Sequence, residues 1–355
     1  VGGPVKREVV IIGDRFMRPE MFEAALGDAC GDRVETRRHA LPWPDEPMEH
    51  GYRQRGDLIP GMEGLREYMG DPDDIVSRIG DAEILITHLA PLSAPMLEQL
   101  PRLKLVAVSR GGPVNIDRAA TRERGILVVN TPGRNASAVA EFTIGAILAA
   151  TRNIIRGHEA LRRGDWRGDL YRADEVGDEL CDMTVGVIGY GEVGVRVVRL
   201  LRAFGSRVLV ADPYVQLAPK DAQDGVRHAG LGELPEASDV VTLHARVTAE
   251  TEGFIDADAF ARMRPGAFFV NTARGPMVDH EALTRALESG RLGGAMLETF
   301  AVEPVPPDWK LLRLPNVTLT PHIAGASLRT VRIAAAQAAE EVRRFIAGEP
   351  PLNPC

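Results

Sequence analysis

Three side chains in the C-terminal half of the sequence have the chemistry needed to move a proton and grip an anion. His322, in Thr320-Pro321-His322-Ile323-Ala324-Gly325, follows an apolar, β-branched run. An imidazole there can give or take a proton near neutral pH, as interconversion of a carbonyl and an alcohol requires. Glu303, in Val302-Glu303-Pro304, is suited to hold that imidazole and raise its pKa. Arg274, in Asn271-Thr272-Ala273-Arg274-Gly275, offers a rigid donor fork that can orient a carbonyl and a carboxylate together. Each also has a plainer reading. A lone histidine is commonly structural, a Glu before Pro is often a solvated turn, and an Arg before Gly often caps a helix. Spacing alone does not make the three converge.

The elements that would position them start from Thr184-Val185-Gly186-Val187-Ile188, a short buried strand. Gly189, Gly191 and Gly194 then supply G-x-G-x-x-G spacing, with Tyr190, Glu192 and Val193 between them. Beyond, Val197, Leu200, Leu201 and Phe204 recur at helical spacing. Strand, glycine turn and amphipathic helix in that order form a cradle for a pyrophosphate at a helix N-terminus. A second strand, 207–211, ends at Asp212, roughly twenty residues on, where a carboxylate can bond an adenosine ribose. The negative charge of Asp212 repels a 2′-phosphate, which favours NAD over NADP.

Six strands are predicted here, over 184–188, 207–211, 239–243, 267–270, 293–297 and 317–320. Helical segments such as 256–263 and 279–287 lie between them, each opened by a capping Asp. Just past the strand ends lie, in order, Gly189 and Gly191, Asp212, His244, Asn271 to Arg274, Glu298 and His322. Doubly wound sheets bind ligands outside the carboxyl ends of their strands, so this series predicts one site.

The first part of the chain alternates similarly. Strands are expected at 9–12, 33–38 (an edge), 83–86, 104–108 and 126–129, with helices at 19–29, 95–100 and 115–122 and one capped by Asp71. His88 and Ser109-Arg110-Gly111-Gly112 follow two of these strands. Residues 39–70 are rich in proline and glycine and too long for an ordinary connection. They read as a lid or partner surface, or as local packing of Trp43, Tyr52 and Tyr68. Residues 130–133 form a junction, and one long alanine-rich helix is expected over 137–161. A last helix, 327–347, should cross back onto the first domain. The expected division is a discontinuous substrate domain, 1–130 with 323–355, and a dinucleotide-binding domain, 131–322.

The whole-chain properties narrow the classes. The 355 residues suit two domains, and 45% hydrophobic with 26% charged content is ordinary for a globular protein. A formal charge of −8 provides no basic stripe, which disfavours nucleic acid and anionic membranes as partners. Three scattered cysteines, Cys30, Cys181 and Cys355, suit buried or incidental thiols in a reducing cytosol rather than a disulfide framework or a metal site. The first residues lack the apolar core of a signal peptide, and the most apolar run, 138–155, is interrupted by Glu141, Arg152 and Asn153. The expected location is cytoplasmic.

Four ordered blocks now carry a resemblance: Gly189-Tyr190-Gly191-Glu192-Val193-Gly194, Asn271 to Gly275, Leu297-Glu298-Thr299-Phe300-Ala301-Val302-Glu303-Pro304, and Leu319 to Gly325. From about residue 82 to 328 the chain resembles the D-isomer-specific 2-hydroxyacid dehydrogenases, a family that includes phosphoglycerate, glycerate, D-lactate, formate and phosphite dehydrogenases. The resemblance implies a Rossmann α/β domain with a doubly wound parallel sheet, joined to a smaller flavodoxin-like α/β substrate domain. It implies NAD-linked hydride transfer between nicotinamide and a small D-2-hydroxy or 2-oxo acid, with domain closure excluding water. His322 would be the general acid/base, Glu303 its tuning partner and Arg274 a substrate contact. Gly111 and Gly112 would offer N–H groups to the substrate carboxylate. His244, Ala245, Thr272, Ala273, Glu298 and His322 would lie along the cofactor. Helices near 140–152 would form a homodimer interface.

Three departures stand out: Glu298 where the family usually has Asp, Arg246 where an apolar residue is commoner, and Arg110 where a small residue is usual. Arg110 and His88 are the expected selectivity residues. An extra cation points to a substrate with a second anionic group, unless Arg110 pairs with a neighbouring acid. Two other functions fit the same scaffold, a dinucleotide-sensing regulatory protein and a formate- or phosphite-type dehydrogenase.

Overall fold

The computed structural model describes residues 6–43 and 60–355. The chain divides into two units, one holding residues up to Asn135 together with Ala326–Cys355, the other Ala136–Gly325.

The first unit opens β1 (Arg7–Gly13), α1 (Pro19–Cys30), β2 (Val34–Ala40), α2 (Pro72–Ile79), β3 (Ile84–Thr87), α3 (Ala94–Glu98), β4 (Leu105–Val108), α4 (Arg118–Glu123) and β5 (Leu127–Val129). Its five strands are parallel in the order β2-β1-β3-β4-β5, the flavodoxin-like arrangement. Side chains alternate between two cores, as a strand buried on both faces requires. Val10, Ile12, Leu85 and Val106 point into one core, while Val9, Ile11, Ile84, Ile86 and Leu105 point into the other. Asp71 accepts from the N–H groups of Asp73 and Asp74, and Asp117 from those of Ala119 and Ala120, so each closes the first turn of its helix.

Residues 44–59, which hold Tyr52 and half of the expected lid or partner surface, lie outside the described residues. The remainder of that proline-rich stretch packs locally. Met62, Leu65 and Met69 are buried with Leu41 in the core, and Tyr68 rests against it.

The second unit holds α5 (Ala136–Thr151), α6 (Ile154–Arg162), β6 (Thr184–Ile188), α7 (Glu192–Ala203), β7 (Arg207–Ala211), α8 (Pro219–Gln223), β8 (Arg227–His228), α9 (Glu233–Ala237), β9 (Val240–Leu243), α10 (Ala257–Arg262), β10 (Ala267–Asn271), α11 (His280–Glu288), β11 (Leu292–Leu297) and β12 (Val317–Leu319). Its sheet is parallel throughout, in the order β12-β11-β10-β9-β6-β7-β8. This is a doubly wound Rossmann sheet with the order reversing at β6, where the glycine motif sits. The expected six strands are present, and Arg227–His228 adds a seventh at the edge. That strand is two exposed polar residues long, so no apolar pattern marks it in the sequence.

The expected single helix over 137–161 is two. It breaks at Asn153, which takes left-handed dihedrals of φ 54° and ψ 25°, and the axes of α5 and α6 differ by 66°. Asn tolerates this conformation better than most side chains, and its Nδ2 donates to the Glu175 carbonyl at 2.9 Å, holding the bend. Among the described residues no single helix is long and apolar enough to cross a membrane. The chain closes with α12 (Leu328–Ala347), capped by Ser327 and ended by Gly348 at φ 70°. Its apolar face, including Val331, Ala335, Ala338 and Val342, joins Phe22 and Leu26 of α1 in one core of the first unit.

Candidate active site

The glycine turn is tightly constrained by its neighbours. Gly189 has φ +97°, and a Cβ there would lie 2.7 Å from the backbone of His244 and Ala245, so the ends of β6 and β9 meet at a residue that must be glycine. A Cβ on Gly194 would fall 2.0 Å from the Gly189 carbonyl, which is how α7 seats on the turn. Around Gly191 the space is open, and no side chain caps the first turn of α7. The leading N–H groups of α7, over Glu192 and Val193, are thus left for an anion. These residues fit the pyrophosphate of a dinucleotide.

Asp212 stands where the sequence places it, at the end of β7. Its Oδ2 accepts from the Tyr190 N–H at 2.8 Å, and its Oδ1 from Tyr214 and Val215 at 2.9 and 3.0 Å. The Tyr190 side chain turns away into the core, its hydroxyl donating to Asp221. His244 sits on Thr242 through Nε2, at 3.0 Å from its hydroxyl. Its Nδ1 is enclosed with no partner among the described residues, and burial pushes the imidazole down to about 3. It is therefore a neutral ring with an unmet nitrogen beside the cradle. Thr272 contacts Thr143 of α5 through its hydroxyl at 2.8 Å, and the Ala273 N–H is taken by Asn271 at 3.0 Å.

His322 and Glu303 meet. His322 Nδ1 lies 2.8 Å from Glu303 Oε2, and Glu303 Oε1 accepts from the Phe300 N–H at 2.7 Å. His322 holds φ 54°, a left-handed conformation that few residues other than glycine adopt. Its N–H donates to the Glu298 carbonyl at 3.1 Å, which helps to keep it there. Glu298 is buried, and its Oε1 accepts from Ala324 at 2.8 Å. Burial pushes this carboxyl up to about 7, with His322 opposing. The Asn271 side chain staples the Arg274 loop by bonding the Arg274 carbonyl at 3.1 Å. Gly275 then runs so close to Phe300 that a Cβ would lie 1.8 Å from its carbonyl carbon. The Arg274 loop and the Glu303 loop are thereby locked backbone to backbone, while the Arg274 guanidinium donates to the Ala273 carbonyl at 2.7 Å.

In the first unit, Gly111 and Gly112 are exposed, and their N–H groups have no hydrogen-bond partner among the described residues. Arg110 takes the second of its two expected readings and pairs with an acid. Its guanidinium is an ion pair with Glu67, which also accepts from it through the backbone carbonyl at 3.0 Å, and both side chains are nearly buried. It is not a spare cation, so it gives no reason to expect a second anionic group on the substrate. Glu67 has no signal in the sequence because it lies 43 residues away in an irregular stretch. His88 contacts Asp14, a residue absent from the sequence reading. Asp14 follows β1 as His88 follows β3, so the strand-end rule already used elsewhere would have found it.

Residues 144–324 match the family model for the D-isomer specific 2-hydroxyacid dehydrogenase, NAD binding domain. A glyoxylate reductase of Korarchaeum cryptofilum is 37% identical over 280 residues, covering 79% of this chain and 84% of its own. A glycerate dehydrogenase of Methylorubrum extorquens is 37% identical over 284 residues, 79% of this chain and 87% of its own. The crystal structure of a Thermus thermophilus protein, 30% identical, superposes with a TM-score of 0.76 over 98% of this chain and 99% of that one. With its two parallel-sheet units, glycine cradle and Glu303–His322 pair, this chain belongs to the D-isomer-specific 2-hydroxyacid dehydrogenases, NAD-dependent oxidoreductases of CH–OH donors.

Proposed function

We propose that the protein reduces a small, singly charged 2-oxo acid to its D-2-hydroxy acid, or catalyses the reverse oxidation. In this reading the Ala136–Gly325 unit carries the dinucleotide and the other unit carries the substrate carboxylate on the Gly111 and Gly112 N–H groups. NAD, when bound, supplies or takes the hydride at the substrate 2-carbon. Arg274 orients the oxo acid and polarises its carbonyl. His322 gives its Nε2 proton to the developing alkoxide, and Glu303 fixes the ring so that Nδ1 faces the carboxylate and Nε2 is the working nitrogen.

The observation that carries this reading is the Glu303–His322 contact at the strand ends of the same sheet that forms the glycine cradle. Sensing the dinucleotide does not require such a pair, so its presence favours catalysis. Asp212 supports NAD over NADP, because a 2′-phosphate would meet its carboxylate. A homodimer is supported by apolar side chains left bare beyond α5: Ile154 is 54% exposed, Leu161 58%, Trp166 85% and Tyr171 92%.

The test follows NADH absorbance against glyoxylate, pyruvate and 3-hydroxypyruvate, each with NADPH as comparison. Turnover of at least one with NADH is expected. No turnover of any, with NADH still bound, would overturn the enzyme reading in favour of sensing.

A further inference from the structure

Asp14 and His88 form a second carboxylate–imidazole pair, wholly inside the unit that carries Gly111 and Gly112. Asp14 is 1% exposed. Its Oδ1 accepts from the N–H groups of Phe16 and Met17, both at 2.8 Å, and its Oδ2 meets His88 Nδ1 at 2.5 Å. Burial works against the charge on Asp14, but the imidazole and the two backbone N–H groups outweigh it and hold the carboxyl below its usual value. An ionised carboxylate only accepts, so the proton of this contact sits on Nδ1. Burial also pushes His88 down, against the pull of Asp14, which leaves the ring neutral. Nε2 then carries a lone pair.

That nitrogen makes no hydrogen bond to any described residue, and the side chain as a whole is 9% exposed. Phe16 sets its ring against the imidazole, with centroids 6.0 Å apart and planes at 63°. The location is also informative. β3 and β4 are neighbours, with Thr87 paired to Val108, and the Ser109 N–H bonds the Thr87 carbonyl at 2.8 Å. His88 therefore lies one strand away from the loop with the two free glycine N–H groups.

We propose that His88 Nε2 accepts a hydrogen bond from a hydroxyl on the substrate side chain, and that Asp14 is the positioning residue that keeps this nitrogen an acceptor. The inference rests on the reductase reading above, with the substrate carboxylate at Gly111 and Gly112. An acceptor at this place favours a hydroxylated 2-oxo acid and disfavours one ending in a second carboxylate, which has only acceptors to offer.

The measurement is kcat/KM for 3-hydroxypyruvate, pyruvate, oxaloacetate and glyoxylate in the wild type and in Asp14→Asn. The amide keeps Oδ1 for Phe16 and Met17 but presents N–H to His88 Nδ1, which drives the imidazole proton to Nε2 and makes it a donor. The wild type should favour 3-hydroxypyruvate over pyruvate by about 10-fold or more, and Asp14→Asn should raise oxaloacetate relative to pyruvate by about 10-fold. Equal use of 3-hydroxypyruvate and pyruvate by the wild type, or unchanged ratios in Asp14→Asn, overturns the inference while leaving the reductase reading intact. Failure of the wild type to turn over any of the four, glyoxylate included, sinks both. Nitrogen-15 spectra of the wild-type imidazoles give a check that needs no variant: His88 should be the Nδ1–H tautomer, and an Nε2–H tautomer overturns the inference.

Discussion

Glu303–His322 and Asp14–His88 are the same device in two surroundings. In each, a carboxylate faces Nδ1, at 2.8 Å in one and 2.5 Å in the other. In each, the other carboxylate oxygen is tied down by backbone N–H groups, from Phe300 in the first and from Phe16 and Met17 in the second. The surroundings differ. The His322 side chain is 21% exposed and stands on a left-handed backbone just past β12, whereas that of His88 is 9% exposed beside an aromatic ring. A ring that must gain and lose a proton keeps contact with water and with reactants. A ring that only has to recognise a neutral group can be buried and locked in one tautomer. A carboxylate faces Nδ1 in both pairs, and in the roles proposed for them the depth of burial is what separates proton transfer from recognition.

Three measurements would break or sharpen that contrast. The largest effect is expected for His322→Ala, with kcat lowered on the order of 10²–10⁴-fold while NADH binding, followed by fluorescence, changes little. Undiminished turnover would remove His322 from proton transfer and leave the two pairs with no functional difference. A smaller loss is expected for Glu303→Gln. The amide keeps the bond to Phe300 but reverses the tautomer of His322, so kcat should fall by roughly 10²-fold with little change in substrate preference. A change of preference without loss of rate would make this pair a recognition pair too.

The third measurement concerns Glu298, whose buried carboxyl is influenced by His322 of the first pair. Its folded pKa of about 7 lies above the ordinary carboxylate value, so the folded state holds a proton that the unfolded chain has lost. Stability should therefore fall as pH rises from about 4.5 to 7 and level off above, by an amount on the order of 3 kcal/mol. Denaturant midpoints between pH 5 and 8 should show this slope in the wild type and not in Glu298→Gln. The amide still accepts from Ala324 and has no charge to bury. A slope unchanged by the substitution would assign the pH dependence to another group.

Much of the fold was legible because it is written in local pattern. Runs such as Val185 to Ile188 and Val240 to Leu243 are apolar and β-branched, as strands buried on both faces must be. Asp71, Asp256 and Asp279 mark helix starts because only a short polar side chain can reach back to the first free N–H groups. The break at Asn153 was not legible. A left-handed residue inside an alanine-rich helical pattern depends on the Glu175 carbonyl, 22 residues away.

The site divides along the same line. Sequence alone determined the glycine cradle, Asp212, and the order of polar residues past each strand, because parallel sheets deliver successive strand ends to one edge. Only the tertiary structure decided what those residues meet. It joined Glu303 to His322 and spent the charge of Arg110 on Glu67. It also gave His88 to Asp14. The physical reason is range: backbone conformation and capping are settled over a few residues, whereas the charge, tautomer and accessibility of a buried side chain depend on partners that folding alone brings within about 3 Å.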